Sequence, residues 1–179
     1  MKNDAKRVLI AMSGGVDSSA AAALLQEQGY ICGGAMLRLS RDPEVERLSA
    51  QNAADARAVA ERLGMDFHLL DETERFSTCV MQKFVDEYCA GRTPNPCIDC
   101  NRYLKFRRLY DRAALLGCDT IATGHYVRIE RENGRYLLKK ALDASKDQSY
   151  VLYMLTQEQL AHTQFPLGSL HKAETRQLA

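Results

Sequence analysis

The 179-residue chain has room for one domain of ordinary size with one substantial core. Its hydrophobic share of 46% and charged share of 26% exclude a disordered, collagen-like or disulfide-stapled miniprotein. With 24 basic against 23 acidic residues the net charge is +1, so any binding to nucleic acid has to come from a local basic patch and not from a global field.

Taken in chain order, Val8–Met12 is a short apolar run of strand formers that ends at Ser13-Gly14-Gly15. Asp17-Ser18-Ser19 then opens an alanine- and leucine-rich helix that runs to Gly29. A second strand is expected over Ile31–Leu39, a long helix over Glu44–Leu63 closed by Gly64, and a third strand over Phe67–Leu70, the alternation that builds a parallel sheet. Phe76–Cys89 has helical spacing, Gly91–Asn101 carries two prolines and is expected to be loop, and Arg102–Leu116 returns to helical period. A fourth buried strand follows at Thr120–Thr123. Asn133-Gly134, between Tyr126–Ile129 and Tyr136–Leu138, is a hairpin turn signal, because both residues tolerate positive φ. No repeat, low-complexity tract or linker divides the chain. It stops at Ala179 inside a helix expected from Lys172, with no capping signal, the pattern expected of an N-terminal fragment that holds one domain, 1–179. No run approaches the ~18 apolar residues of a membrane span, and the polar start Met1–Arg7 carries no secretion signal. Six cysteines without such a signal point to free thiols in a reducing, cytoplasmic compartment.

Ser13-Gly14-Gly15-Val16-Asp17-Ser18-Ser19 lies where a strand meets a helix N-terminus, a place where free N–H groups and the helix dipole attract anions. The glycines admit a phosphate close to the backbone, and the serines add donors. No Gly-Lys-Ser/Thr follows, so this is not the loop of kinases and GTPases. Asp17 would repel a bare phosphate and makes chemical sense if Mg²⁺ bridges it to a nucleotide. Cys97-Ile98-Asp99-Cys100 is half a zinc site with no second CxxC, and from the residues alone metal binding, redox or nucleophilic chemistry, and no role at all stay open. Cys32, Cys79, Cys89 and Cys118 read as core thiols. Arg102, Lys105, Arg107, Arg108 and Arg112, interleaved with Tyr103 and Phe106, read as a solvated helix face or a phosphate-contact surface. Met36 and Gly124 by themselves read as core filler and turn, and His125 is assigned no role.

The Ser-Gly-Gly-x-Asp-Ser string resembles the signature of the PP-loop ATP pyrophosphatases. Within them the chain resembles the tRNA-specific 2-thiouridylases of the MnmA/TrmU type. The likeness rests also on Gly91-Arg92-Thr93-Pro94-Asn95-Pro96, Cys100-Asn101, Ala122-Thr123-Gly124-His125-Tyr126, Lys146-Asp147-Gln148-Ser149-Tyr150 and Phe165-Pro166-Leu167-Gly168, in the family's order. The resemblance implies a doubly wound parallel α/β sheet of the adenine nucleotide alpha hydrolase-like (HUP) class, with the nucleotide near where strand order reverses. It implies that ATP is held by Ala11, Met12, Ser13, Gly14, Gly15, Val16, Asp17 and Ser18, with Met36 and Gly124 lining the adenosine. The wobble uridine of tRNA would be adenylated with loss of pyrophosphate and its 2-oxygen replaced by sulfur. Cys100 falls at the catalytic cysteine, Asn95, Pro96 and Cys97 fall where the target base is held, and Lys146, Asp147 and Gln148 fall at a tRNA contact. Cys97 departs from the commoner aspartate there. Cys97 and Cys100 are therefore also candidate ligands of a 4Fe-4S cluster whose third ligand is not in this chain. A persulfide or sulfide donor protein is the implied partner. An amide-forming PP-loop ligase, and a nucleotide- or metal-binding fragment without full activity, are the rival readings.

Overall fold

The computed structural model describes residues 6–179; the polar start read at Met1–Ala5 lies outside the described residues. Five strands form one parallel sheet: β1 (Arg7–Ala11), β2 (Ile31–Arg38), β3 (Phe67–Asp71), β4 (Thr120–Ala122) and a two-residue strand, Thr163–Gln164, which becomes β7 once the hairpin is counted. Their order is β3-β2-β1-β4-β7, so the direction of winding reverses between β1 and its neighbour β4. The expected doubly wound sheet is present. In register, Val8 stands between Cys32 of β2 and Thr120 of β4.

Alternation along β1 explains why the sheet has helices on both faces. Val8, Ile10 and Met12 point into one core with Leu25 of α1 (Val16–Glu27) and Ala56 and Ala60 of α2 (Pro43–Arg62). Leu9 points the other way, into a core with Phe106, Leu109 and Ala113 of a later helix and Ile121 of β4. A strand buried on both faces reads as a continuous apolar run, which is how Val8–Met12 reads. Asp42 caps α2, its Oδ1 accepting from Glu44 N at 3.0 Å and Val45 N at 3.3 Å, with Pro43 at the first helical position.

Two sequence expectations need correction. The helix expected from Phe76 begins earlier, as α3 (Thr73–Phe76), and passes through a π-helical turn at Ser77–Met81 before α4 (Gln82–Cys89). The loop expected to Asn101 ends at Asn95: α5 (Pro96–Cys100) runs through a second π-turn, Asn101–Lys105, into α6 (Phe106–Leu115). Proline was read there as a breaker, whereas at a first helical turn its missing N–H costs nothing. The hairpin forms as β5 (Val127–Glu132) and β6 (Arg135–Lys140), a separate two-stranded sheet turning on Asn133 (φ 49°) and Gly134 (φ 79°). A 3₁₀ turn at Ser149–Val151, α7 (Gln157–Ala161), β7 and α8 (Lys172–Leu178) complete the chain. No helix among the described residues is long and apolar enough to cross a membrane.

Candidate nucleotide and thiol site

The glycine turn is held from three sides. Met12 N donates to Ala35 O at 2.8 Å, which carries the β1–β2 pairing past the strand end. Ser18 Oγ accepts from Ser13 N at 3.2 Å and donates to Gly15 O at 3.0 Å, tying the turn to the first turn of α1. Gly14 adopts φ +76°, and a Cβ there would lie 2.4 Å from the Asn52 carbonyl oxygen of α2, so only glycine fits. The α1 N-cap is Gly15, whose neighbours offer no side-chain cap; the first N–H groups of this helix are left for an anion. Across the winding reversal, Gly124 lies against the same turn: a Cβ on it would be 3.0 Å from the Asp17 carbonyl carbon and 3.1 Å from Ser18 N.

Between these loops lies a cavity of about 370 Å³, the size of a small-ligand site. Of the residues expected to hold ATP, Ala11, Met12, Ser13, Asp17, Ser18, Met36 and Gly124 line it, as does Gln148; Gly14, Gly15 and Val16 do not, their contribution being the backbone turn. Met12, Ala35, Met36, Leu37, Leu39 and Leu109 give the cavity apolar lining suited to a flat base, in addition to the polar loop. Sequence reasoning missed four polar liners, Asn52, Lys105, Thr123 and His125. Asn52 had no signal beyond lying on α2. Lys105 reads in sequence as part of a solvated face or a phosphate-contact surface; in the fold it lies in the π-turn and lines the cavity. His125 is enclosed between Phe106, at 5.9 Å, and Phe165, at 6.3 Å, and its Nδ1 shares a hydrogen bond with Thr123 Oγ1 at 2.8 Å. Burial, helped by the Lys105 charge, pushes its pKa down to about 3, so the ring is neutral.

Asp17 is the acidic liner of the cavity. Its Oδ1 accepts from the Tyr126 hydroxyl at 2.9 Å and from Lys172 Nζ of α8. The carboxylate therefore already holds one cation. One carboxylate supplemented by substrate phosphates is a donor set that Mg²⁺ accepts, so the residues fit that ion.

Asn95 caps α5: its Oδ1 accepts from Cys97 N at 3.0 Å, and Pro96 follows at the first helical position. Cys97 is exposed and Cys100 half-buried, one turn further on. Burial pushes the Cys100 thiol up, against the pull of the Lys105 charge. Asn101 is buried, donates Nδ2 to Val151 O at 3.1 Å, and leaves Oδ1 without a partner. Among the described residues no three His, Cys, Asp or Glu side chains gather as a metal site. Two thiols do not complete a 4Fe-4S cluster, and the residues described here do not fit that group on their own. The core-thiol reading holds for Cys32 and Cys118, which are half-buried and pack against the two cores, and is corrected for Cys89, which is exposed, and Cys79, which is half-buried outside those cores. Lys146 is exposed, whereas Asp147 turns inward, its Oδ1 accepting from Ala141 N at 2.9 Å, and Gln148 Oε1 accepts from Tyr126 N at 3.0 Å. The basic helix is not one free face: Arg108 donates to Glu72 at 2.8 Å and Arg112 buries its Nε.

A parallel sheet with a phosphate-type turn and an apolar base pocket at its winding reversal defines an α/β nucleotide-binding domain of the HUP class with a PP-loop. The chain belongs to the family described as the tRNA methyl transferase HUP domain, whose model matches residues 6–179. It is 48% identical to the tRNA-specific 2-thiouridylase MnmA of Clostridioides difficile (strain 630), over 97% of this chain and 50% of that protein. It is 52% identical to the protein of the same description from Desulforamulus reducens, over 97% of this chain and 50% of that one. The chain thus spans about half the length of the curated relatives it matches. Among solved structures, the U34-tRNA thiolase NcsA of Methanococcus maripaludis with its [4Fe-4S] cluster shares the fold at a TM-score of 0.59 and 21% identity, over 97% of this chain and 56% of that one. A tRNA methyltransferase subunit from Methanocaldococcus jannaschii gives a TM-score of 0.58 at 16% identity, over 97% and 73% of the two chains.

Proposed function

We propose that residues 1–179 are the ATP-binding, adenylating part of a tRNA 2-thiouridylase that works in the cytoplasm. The observation that carries the reading is the α1 N-terminus without a side-chain cap, at the winding reversal, beside a cavity lined by both apolar and polar groups. ATP would lie with its base on Met12, Met36 and Leu109 and its phosphates on the N–H groups of α1, aided by Ser13 and Ser18. Mg²⁺, held through Asp17, would neutralise phosphate charge during displacement. Attack of the wobble uridine's 2-oxygen on the α-phosphorus expels pyrophosphate and converts that oxygen into the leaving group AMP. Sulfur would then arrive at the same carbon from the α5 helix. A donor protein would load Cys100 as a persulfide. Attack of the Cys97 thiolate on the inner sulfur would close a Cys97–Cys100 disulfide and release hydrosulfide as the nucleophile. Two thiols on one helical turn supply both the sulfur carrier and the attacking group of this route. Lys146 and the exposed Arg102 and Arg107 supply phosphate contacts for tRNA.

The test is release of AMP and pyrophosphate from α-labelled ATP with and without unmodified tRNA. Stimulation by tRNA that is abolished in Asp17→Ala is the expected result. Binding of ATP with no response to tRNA would move the reading to a PP-loop enzyme with a different acceptor, such as an amide-forming ligase.

A further inference from the structure

Tyr150 and Tyr153 are 63% and 70% exposed, although the turn that carries them is packed: Val151, Leu152 and Leu155 are buried. The backbone there closes in successive three-residue turns, Val151 N donating to Gln148 O, Leu152 N to Ser149 O and Leu155 N to Leu152 O, and Asn101 Nδ2 donates to Val151 O at 3.1 Å. Residues three apart in such turns eclipse one another, at a rise of about 6 Å. Both tyrosines accordingly line one groove, of about 590 Å³, beside β6 and α7. Its sides are fixed before anything binds, because Tyr136 N donates to Gln157 Oε1 and Gln157 Nε2 to Tyr136 O, each at 2.9 Å. Among the described residues its one charged liner is Lys140, and no carboxylate lines it; Lys146 and Arg135 stand exposed nearby in the chain. Aromatic faces that stack on any base, beside cations that take phosphate, are the chemistry of an unpaired nucleic-acid strand, whereas a duplex keeps its base faces covered. The groove also adjoins the nucleotide cavity, since Gln148 lines the cavity while Ser149 and Tyr150 line the groove. We propose that this groove is a stacking site for an unpaired nucleotide of an RNA loop, with the base against Tyr150 and Tyr153 and an adjoining phosphate on Lys140. The proposal rests on the tRNA reading above and adds to it a subsite outside the cavity.

Fluorescence anisotropy tests this, with the chain titrated into a labelled, unmodified anticodon stem-loop and into a blunt RNA duplex with the same number of phosphates. Replacing both rings, in Tyr150→Ala/Tyr153→Ala, should weaken the stem-loop by about tenfold or more and the duplex by less than about twofold. Tyr150→Phe/Tyr153→Phe keeps the faces and should bind the stem-loop within about twofold of wild type. In a series of stem-loops with one abasic loop position each, one position should erase the difference between wild type and the alanine pair. Lys140→Ala should lower the salt slope of stem-loop binding by about one, and the alanine pair should leave that slope unchanged. The groove instead covers a protein segment, and the proposal is overturned, if the alanine pair binds the stem-loop as wild type does, if it weakens the duplex equally, if the phenylalanine pair shares its loss, if no abasic position erases the difference, or if Lys140→Ala leaves the slope unchanged. Wild type that binds neither RNA overturns the tRNA reading together with this proposal; wild type and alanine pair that bind the stem-loop equally overturn this one alone.

Discussion

Gly14 is the residue on which the anion site turns. Its positive φ costs an L-residue roughly 1–2 kcal/mol, and a methyl group would press on the Asn52 carbonyl. Gly14→Ala should therefore lose nucleotide binding and lower the melting temperature; retention of both by calorimetry and thermal melting would contradict the geometry. His125 makes a second prediction, about pH. Its ring titrates near 3 when folded against an ordinary 6.5. As pH falls, the unfolded chain takes up the proton first, so this contribution to stability is full above about 6.5 and is lost progressively as pH drops toward 3. Urea midpoints should fall between about pH 7 and about pH 5 in wild type and fall less in His125→Gln. The glycine turn was legible because its chemistry is local. Lys172 and Asn52 were not, since nothing in a single sequence says that residues 155 positions apart share a hydrogen bond.

The elements show where periodicity misleads. β1 and α1 are legible because an apolar run and a glycine turn mark them. β7 has only two residues, too few for any period, and is a strand because the edge of β4 pairs with it, Ile121 opposite Thr163. The π-turn at Asn101–Lys105 is invisible to a 3.6-residue template, yet it matters most. Five positions along an α-helix Cys100 and Lys105 would lie roughly 140° apart; the wider turn narrows that angle, and Lys105 both lines the cavity and acts by its charge on the Cys100 thiol. The α5 cap is a test at this scale. Asn95→Ala should cost about 1 kcal/mol. Because it frees the Cys97 N–H, it should also speed alkylation of Cys97 relative to Cys89, which sits on a different helix. Equal change at both thiols would mean that Asn95 does not organise α5.

For the whole molecule, a nucleotide in the proposed pose would bridge loops from both halves of the sheet, so binding and folding would be linked. ATP at a hundred times its dissociation constant should add about 2.7 kcal/mol to stability, seen as a higher melting temperature that adenosine raises less. No rise at saturating ATP would place the ligand elsewhere. The parallel sheet was legible because helix and strand signals alternate; its double winding, and with it the winding reversal, followed from the family resemblance. The separate β5–β6 sheet was legible only as a hairpin, since a turn signal says nothing of which sheet it joins.

The strand order has a kinetic corollary. β1 emerges first in synthesis but stands between β2 and β4, with Val8 waiting for Thr120. Until the ribosome has released β4, one edge of β1 stays unpaired and exposed to wrong partners. The Gly124 wall of the cavity is missing for the same interval. Nucleotide affinity should therefore appear late and abruptly along the growing chain, and ATP in the surrounding solution would trap the sheet as it closes.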